Sequence, residues 1–290
     1  MSIKNQSTTF YVIASPIGNL NEFSARAVDS MADIQYLFCE DTRTTKKLLS
    51  LLKIDFNHLK MISYHKFNEV QRTSEFLDYV KKYNCALMSD AGYPTISDPG
   101  QILINEIRTK LPQVKVEVIN GSNAILCALA GSGFPSEHFY FGGFFERNIK
   151  ELHEQLNAAK KIPATLIFYE AVHRIKNSLL IVDEVFKNLK VCVARELTKL
   201  NECYYFGTAK SICEQLTLKG EFVILIDNND ASITPFEHNN LNDAIILIKN
   251  LVQYKMRLKD ACKYAAKVFK LESSNLYNLL LQEQLDKNEN

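Results

Sequence analysis

The chain has 290 residues, enough for two compact domains or for two and a small appendage. Its 47% hydrophobic and 23% charged residues exclude a disordered or fibrous protein, and a net charge of only +1 excludes a coat of positive charge spread over the whole surface to hold nucleic acid. No apolar run approaches a membrane span and Met1 to Thr9 hold no signal-peptide core, so the cytoplasm is the expected location. Seven cysteines, at 39, 85, 127, 192, 203, 213 and 262, form no Cys-x-x-Cys pair and the six histidines are scattered; reduced core thiols are expected, with no metal site.

In chain order, Phe10-Tyr11-Val12-Ile13-Ala14 reads as a buried strand, and Ser15-Pro16-Ile17-Gly18-Asn19-Leu20 follows it. That loop lacks the three spaced glycines of a dinucleotide fingerprint and is not a Rossmann phosphate grip. An amphipathic stretch near 24–31 precedes a second strand, 34–40, which runs into Cys39-Glu40-Asp41-Thr42-Arg43. Amphipathic stretches near 42–52 and 69–82 flank a strand at 61–64. A strand at 84–90 then leads into Ser89-Asp90-Ala91-Gly92-Tyr93-Pro94-Thr95-Ile96-Ser97-Asp98-Pro99-Gly100. Two glycines, two prolines and two aspartates after an apolar strand make either a rigid loop that faces a ligand, or a plain turn in which Ser97 or Asp98 caps a helix beginning near Pro99. A helical stretch at 99–110, a strand at 115–120 and a helix from Ser122 to Ala130 complete this part. Strands alternating with crossover helices predict a mainly parallel sheet covered on both faces. The charged and glycine-bearing loops at three strand ends point to one crevice.

Gly131-Ser132-Gly133-Phe134-Pro135 breaks the periodicity and marks the passage to a second unit. Strands are predicted at 139–145, 164–170, 190–196, 203–209 and 221–227, and helices at 147–160 and 171–188. The short link from Arg195 to Tyr204 favours antiparallel pairing there, hence a mixed sheet. The polar run 228–240 reads as a linker. Beyond it three short helices are predicted at 241–254, 257–270 and 274–284, the last capped by Ser273, Ser274 or Asn275. The expected domains are 1–121, 122–229 and 236–290. Seven basic residues between Lys249 and Lys270, including Lys255, Arg257, Lys259 and Lys263, face only Asp260; they read equally as a site for nucleic acid or as a solvated helix face.

The motifs Ser-Pro-Ile-Gly-Asn-Leu at 15–20, Glu-Asp-Thr-Arg at 40–43, Ser-Asp-Ala-Gly at 89–92 with Asp98-Pro99-Gly100, Phe168-Tyr169-Glu170 with His173-Arg174, and Ala194-Arg195-Glu196-Leu197-Thr198-Lys199 stand in this order. From about residue 10 to 227, and weakly through the tail, the chain resembles the ribosomal RNA small subunit methyltransferase I family of the tetrapyrrole methylase superfamily. The resemblance implies a two-domain α/β fold with a parallel N-terminal sheet, a mixed second sheet and a small C-terminal helical extension. It implies methyl transfer from S-adenosylmethionine to the ribose 2′-hydroxyl of a cytidine in 16S rRNA of the small subunit, by a homodimer. Two alternatives stand beside it: a C-methyltransferase acting on a tetrapyrrole of corrinoid or sirohaem synthesis, and a non-catalytic RNA-binding protein of the same fold.

By the same resemblance the cofactor lies in the cleft between the domains, held mostly by main-chain groups of Pro16 and Gly18, of Asp90, Ala91, Gly92, Tyr93 and Pro94 with Ile96, and of Ser122, Asn123 and Ala124. The chain departs from the family at Asn120-Gly121-Ser122-Asn123-Ala124, where Pro-Gly-Pro is usual. Both prolines are lost, which predicts a more flexible loop. Tyr93 is bulkier than the family's small residue and narrows the cleft. For the proton of the hydroxyl, the ionisable groups at strand ends are Glu40, Asp41, Glu170, Arg195 and Lys199, with Arg43, His65 and Glu196 beside them. Lys199 stands first among these for contact with the acceptor, while Glu40–Arg43 and Glu170–Arg174 read equally well as structural ion pairs. Arg43, His65, Arg147, Lys150 and Arg174, with His173, Lys176 and the basic helices of the tail, are the expected contacts to RNA phosphates.

Overall fold

In the computed structural model, residues 8–229, 240–253, 256–269 and 271–286 are described. The first sheet is built from β1 (Thr9–Ile13), β2 (Tyr36–Cys39), β3 (Lys60–Ser63), β4 (Cys85–Met88) and β5 (Lys115–Ile119), connected by α1 (Ala25–Ser30), α2 (Thr42–Leu51), α3 (Glu69–Val80) and α4 (Gln101–Lys110). All its pairings are parallel, in the order β3-β2-β4-β1-β5. Alternation along each strand explains why both faces are covered. Phe10, Val12, Tyr36, Phe38, Cys85 and Leu87 pack on one side with Phe76 of α3 and Leu103 of α4. Ile13, Leu37, Cys39, Ala86 and Met88 pack on the other with Ala27 of α1 and Leu49 of α2. Near-continuous apolar strands of this kind are the mark of a sheet buried on both faces.

The neighbours β1 and β4 therefore send their chains to opposite faces, β1 to α1 and β4 to α4. A crevice opens at the carboxyl ends of such a pair.

After α5 (Ala124–Ser132), the second sheet comprises β6 (Phe139–Phe144), β7 (Thr165–Glu170), β8 (Val191–Arg195), β9 (Cys203–Gly207) and β10 (Phe222–Asp227), with α6 (Ile149–Ala159), α7 (Ile175–Phe186) and α8 (Ala209–Gln215). Its order is β6-β7-β10-β8-β9. The β6–β7 pair is parallel and the others antiparallel, including the β8–β9 pair expected from its short link. Ile125 and Leu129 of α5 cover one face, against Ile167, Ala194 and Val223. Both sheets, apart from residues 160–163, belong to one compact unit.

Two local expectations are corrected. The helix α5 starts at Ala124 rather than Ser122, because Asn123 is extended and its side chain accepts the Leu126 amide, an ordinary N-cap. The helix α8 is an addition to the predicted elements. Thr208 caps it by accepting the Ser211 amide at 3.2 Å, and Ala209 and Ile212 are its buried anchors. Thr208→Ala is expected to cost about 1 kcal/mol, a fall of roughly 3 °C in Tm in a melt followed by circular dichroism; an unchanged Tm would show that packing alone holds the helix.

The second compact unit contains α9 (Asn240–Gln253), α10 (Leu258–Phe269) and α11 (Ser273–Asp286). Its core joins Ala244 and Ile248 to Ala261, Ala265, Leu276 and Leu280. Among the described residues, no helix is long and apolar enough to cross a membrane.

Candidate active site

The loop after β1 and the loop after β4 are stitched together by backbone. The Ser15 amide donates to the Gly92 carbonyl at 2.8 Å, the Gly92 amide donates back to Ser15 at 3.0 Å, and the Ser15 hydroxyl donates to the Ser89 carbonyl at 2.7 Å. Gly92 has φ of +69°, which glycine adopts at little cost. Thr95 (φ +75°) and Ser97 (φ +69°) hold left-handed backbone without that freedom. Such strain gathers at ligand-binding loops, where the surroundings enforce it. The helix α4 begins at Gln101, with Gly100 (φ +130°) at its N-cap and no side-chain cap, so neither Ser97 nor Asp98 caps it. Asp98 is left to face the crevice.

That crevice is a cavity of about 540 Å³. One wall is Ile17, Glu40, Asp90 to Tyr93 and Ile96 to Asp98; the other is Phe144, Tyr169 to Val172, Leu197 and Gly220 to Val223, with Asn123 and Ala124 completing the lining. Of the residues expected at the cofactor, Asp90, Ala91, Gly92, Tyr93, Ile96, Asn123 and Ala124 lie in this lining. Pro16 and Pro94 are buried behind it, and the Ser122 hydroxyl is turned away to donate to Glu22 at 2.6 Å. Gly18 meets Lys199: a side chain at 18 would run into the Lys199 Cγ, and the Asn19 amide donates to the Thr198 hydroxyl at 3.2 Å.

The loop at 120–124 is braced where its prolines are missing. The Tyr93 hydroxyl hydrogen-bonds to the Asn120 side chain and accepts from the Gly121 amide at 3.1 Å. The residue expected to narrow the cleft thus also ties down the loop expected to loosen.

The five groups proposed for proton chemistry separate clearly. Glu40 lines the cavity. Asp41 caps α2 and is clasped by Arg43, whose hydrogen bonds bring the carboxyl down to about 2; it stays ionised and is a poor proton acceptor. Glu170 is 3% exposed, and both its oxygens are engaged. Oε1 accepts from Arg174 Nη2 and from the Ala171 amide, each at 2.6 Å, while Oε2 accepts from the Ser178 hydroxyl. Arg195 is buried and donates to the Lys219 carbonyl at 2.6 Å, which shapes the loop that carries Gly220 and Glu221 into the cavity wall. Lys199 is half-buried. Burial works against its charge, but the ion pairs to Glu196 (2.9 Å) and Glu221 (2.7 Å) win and raise its pKa, so it stays an ammonium.

A residue absent from that set stands out. Asp98 is in the cavity wall, and burial first, then the charge of Glu40, push its carboxyl up to about 6, against the opposing pull of Lys66 and Ser89. Asp90 is raised by the same two causes. Tyr169, on the facing wall, is pushed up to about 12 by burial and by Asp98, and remains a neutral phenol. Asp98 is masked in the sequence by its likeness to a helix cap; the only signal for it is its place in the same loop as Asp90.

The RNA candidates also divide. Arg147 and Lys150 are exposed, Lys150 within 3.9 Å of Glu154. Arg43 is exposed but paired with Asp41. Arg174 spends its guanidinium on Glu170 and on the carbonyls of Phe145 and Glu146, which leaves it structural. His65 accepts or donates at Nε2 with Asn68, 3.3 Å away, and its Nδ1 is buried without a partner among the described residues. In the tail, Arg257, Lys259 and Lys263 are exposed, whereas Lys255 lies outside the described residues.

Residues 9–213 match the family described as Tetrapyrrole (Corrin/Porphyrin) Methylases. The chain is 43% identical over 269 residues to "Ribosomal RNA small subunit methyltransferase I" of Mycoplasma pneumoniae, covering 92% of this chain and 96% of that one. It is 33% identical to the protein of the same name from Halalkalibacterium halodurans, with 97% of each chain covered. Among solved structures, the methyltransferase CobJ aligns with a TM-score of 0.57 at 14% identity over 76% of this chain and 94% of its own. Diphthine synthase aligns with a TM-score of 0.57 at 10% identity, over 79% and 96%. Likeness at such low identity speaks for the fold alone, in agreement with the two sheets found. With a family match over most of its length and full-length relatives of one name, this chain belongs to the tetrapyrrole methylase family, in its ribosomal RNA small subunit methyltransferase I branch.

Proposed function

We propose that this chain transfers a methyl group from S-adenosylmethionine to the ribose 2′-hydroxyl of a cytidine in 16S rRNA of the small ribosomal subunit, in the cytoplasm and as a homodimer. The observation that carries the reading is the cavity at the carboxyl ends of β1 and β4, where glycine backbone and three carboxylates share one wall. Those residues fit the cofactor. Behind burial, the negative charge of Glu40 raises the proton affinity of both Asp90 and Asp98, and a cationic group among the three would relieve that repulsion. With the Gly92 amide and carbonyl taken up by Ser15, the lining backbone of Asp90, Ala91 and Tyr93 is what offers main-chain hydrogen bonds to a nucleoside. When bound, S-adenosylmethionine supplies a methyl group already activated on a sulfonium.

What this chain contributes is alignment and proton removal. Asp98 is the group we assign to accept the hydroxyl proton at its carboxylate oxygen, since its proton affinity sits near neutrality and it faces the cavity. Glu170 acts as a positioning residue, holding Arg174 and, through Ala171, the floor of the second wall. Lys199 closes the seam between the loops after β1 and β8.

A tetrapyrrole substrate is not favoured. The relatives that match over nearly the whole chain carry the rRNA name, and the solved CobJ structure is only 14% identical. The test is methyl transfer from labelled S-adenosylmethionine to small subunits that lack their modifications, with the methylated nucleotide mapped. Label on one cytidine ribose supports the reading, and label on no RNA at all sinks it.

The tail supplies RNA affinity in this reading. Lys259, Lys263 and Lys267 recur at every fourth position on the exposed side of α10, opposite buried Ala261, Cys262, Ala265 and Ala266. Reversing all three to Glu is expected to reduce the salt dependence of subunit binding by about 3 in slope, at roughly 0.9 for each phosphate that is no longer neutralised. The thermal shift induced by S-adenosylmethionine should be unchanged. An unaltered slope would remove α10 from the RNA interface.

A further inference from the structure

The loop joining β3 to α3 carries an aromatic ring that nothing in the fold requires. Phe67 is 95% exposed, and Val70 one turn on is 75% exposed, among otherwise polar residues. A phenylalanine so completely in water gains nothing for the fold, since burial is the source of its stabilising effect. The loop around it is nonetheless built firmly. Its His65 amide donates to the Asn68 side chain at 2.8 Å, the Asn68 amide nitrogen donates to the Ser63 carbonyl at 3.2 Å, and Arg72 donates to the same carbonyl at 3.1 Å. The His65 ring stands edge-on to Phe67, with 6.0 Å between centroids.

The position of this loop links it to the cavity. Two residues beyond Phe67, the Glu69 carboxylate accepts the Gly100 amide at 2.8 Å, and Gly100 lies two residues beyond Asp98. Lys66, next to Phe67, is close enough for its ammonium to act on the Asp98 carboxylate. Because Cys39 pairs with Ser63 in parallel register, the loop after β2 emerges beside the loop after β3, and brings the exposed Arg43 to the same edge. An exposed ring, with the exposed Lys66 next to it and Arg43 at the same edge held in its ion pair to Asp41, therefore stands on the side of the cavity that carries its proton acceptor. Positive charge beside a free aromatic face is the arrangement that holds an unstacked nucleic-acid base and its phosphate.

We infer that Phe67 stacks against an unpaired base of the RNA substrate and so places the adjoining ribose at the cavity mouth. The inference rests on the rRNA reading above and adds to it that the acceptor is taken from a single-stranded, unstacked segment. A second copy of this chain is the competing occupant of the ring, and the exposed Lys66 next to it argues for RNA over it.

The test compares Phe67→Ala and Phe67→Trp with the wild type. For small subunits, kcat/KM should fall roughly ten- to a hundredfold for Phe67→Ala and stay within about threefold for Phe67→Trp, as stacking of one base predicts. Thermal stabilisation by S-adenosylmethionine should be the same in all three, which shows that the fold and the cofactor site are intact. In parallel, anisotropy of a fluorescent oligocytidylate should report weaker binding by Phe67→Ala, again rescued by Trp. Equal kcat/KM or equal oligonucleotide binding in wild type and Phe67→Ala overturns the inference. So does a change of sedimentation in Phe67→Ala, which would assign the ring to a protein interface. If the wild type leaves subunits unlabelled while oligocytidylate binding still depends on Phe67, the methyl-transfer reading fails and the stacking role stands.

Discussion

Asp98→Asn should lower kcat/KM for methyl transfer by about a hundred- to a thousandfold, and at neutral pH it should make the protein more stable. The loss follows from removal of a positioned base, whose usual worth is of that order. The gain follows from linkage. The folded carboxyl titrates near 6 and the unfolded one near 3.8, so the folded state holds the proton more tightly. That contribution to stability is present in full below pH 4 and is lost as the pH rises through 6, and at pH 7 the ionised group costs about 2 kcal/mol once screening of a half-buried site is allowed for. Asn carries no such cost. Melts of both proteins should show the variant higher by several degrees at pH 7, with the gap closing by pH 4. Wild-type kcat/KM should climb with pH to a plateau, with its midpoint near 6. A flat profile between pH 5 and 8, or a variant that melts lower at pH 7, would remove Asp98 from the role of base. A site residue that lowers stability in exchange for reactivity is a common pattern in enzymes.

Glu170→Ala should unfold the protein easily. The change leaves the Arg174 guanidinium with the carbonyls of Phe145 and Glu146 but without the Glu170 carboxylate, and the Ser178 hydroxyl beside an empty space; loss of one member of a buried pair costs about 3–5 kcal/mol. For a chain of this size the melt should fall by roughly ten degrees. Glu170→Gln keeps an acceptor for Arg174 and should lose less than half as much, with kcat at 25 °C within a few-fold of wild type. If instead Glu170→Gln melts like the wild type and is a thousandfold slower, then the carboxylate works on the substrate and Asp98 must share or yield the role.

The elements are legible in the sequence because their signals are local. Five short apolar runs with amphipathic stretches between them leave few alternatives to a parallel sheet, and the link between Arg195 and Tyr204 is too short for a crossover. The helix α8 escapes for the converse reason. It has seven residues, with Lys210, Ser211 and Glu214 around two buried anchors, too little to show a period; Thr208 is its one local mark. The site is partly legible, since loops at strand ends collect ligands whatever their detail. What each side chain does there is not. Gly18 looks like a contact for a ligand, yet the group that needs its missing side chain is Lys199, 181 residues away. Glu170 and Arg174, four apart, read as either a pair or two working groups, and burial decides for the pair. Asp98 follows Ser97, whose left-handed backbone is imposed by the surrounding fold and turns the aspartate away from the helix it would otherwise cap.

The place of β1 at the heart of the first sheet has a consequence for how this protein is made. Phe10 to Ile13 pair with Cys85 to Met88 on one side and Val116 to Ile119 on the other. The strand therefore leaves the ribosome long before either neighbour exists. At synthesis rates of about 5–20 residues per second, the hundred or so residues that must follow take on the order of ten seconds. For that interval Phe10-Tyr11-Val12-Ile13 is an exposed apolar segment with two unpaired edges, the kind of segment that invites capture by a chaperone or by another nascent chain. Slowing elongation between residues 20 and 115 should therefore lower the soluble yield, whereas the same slowing after residue 125 should not.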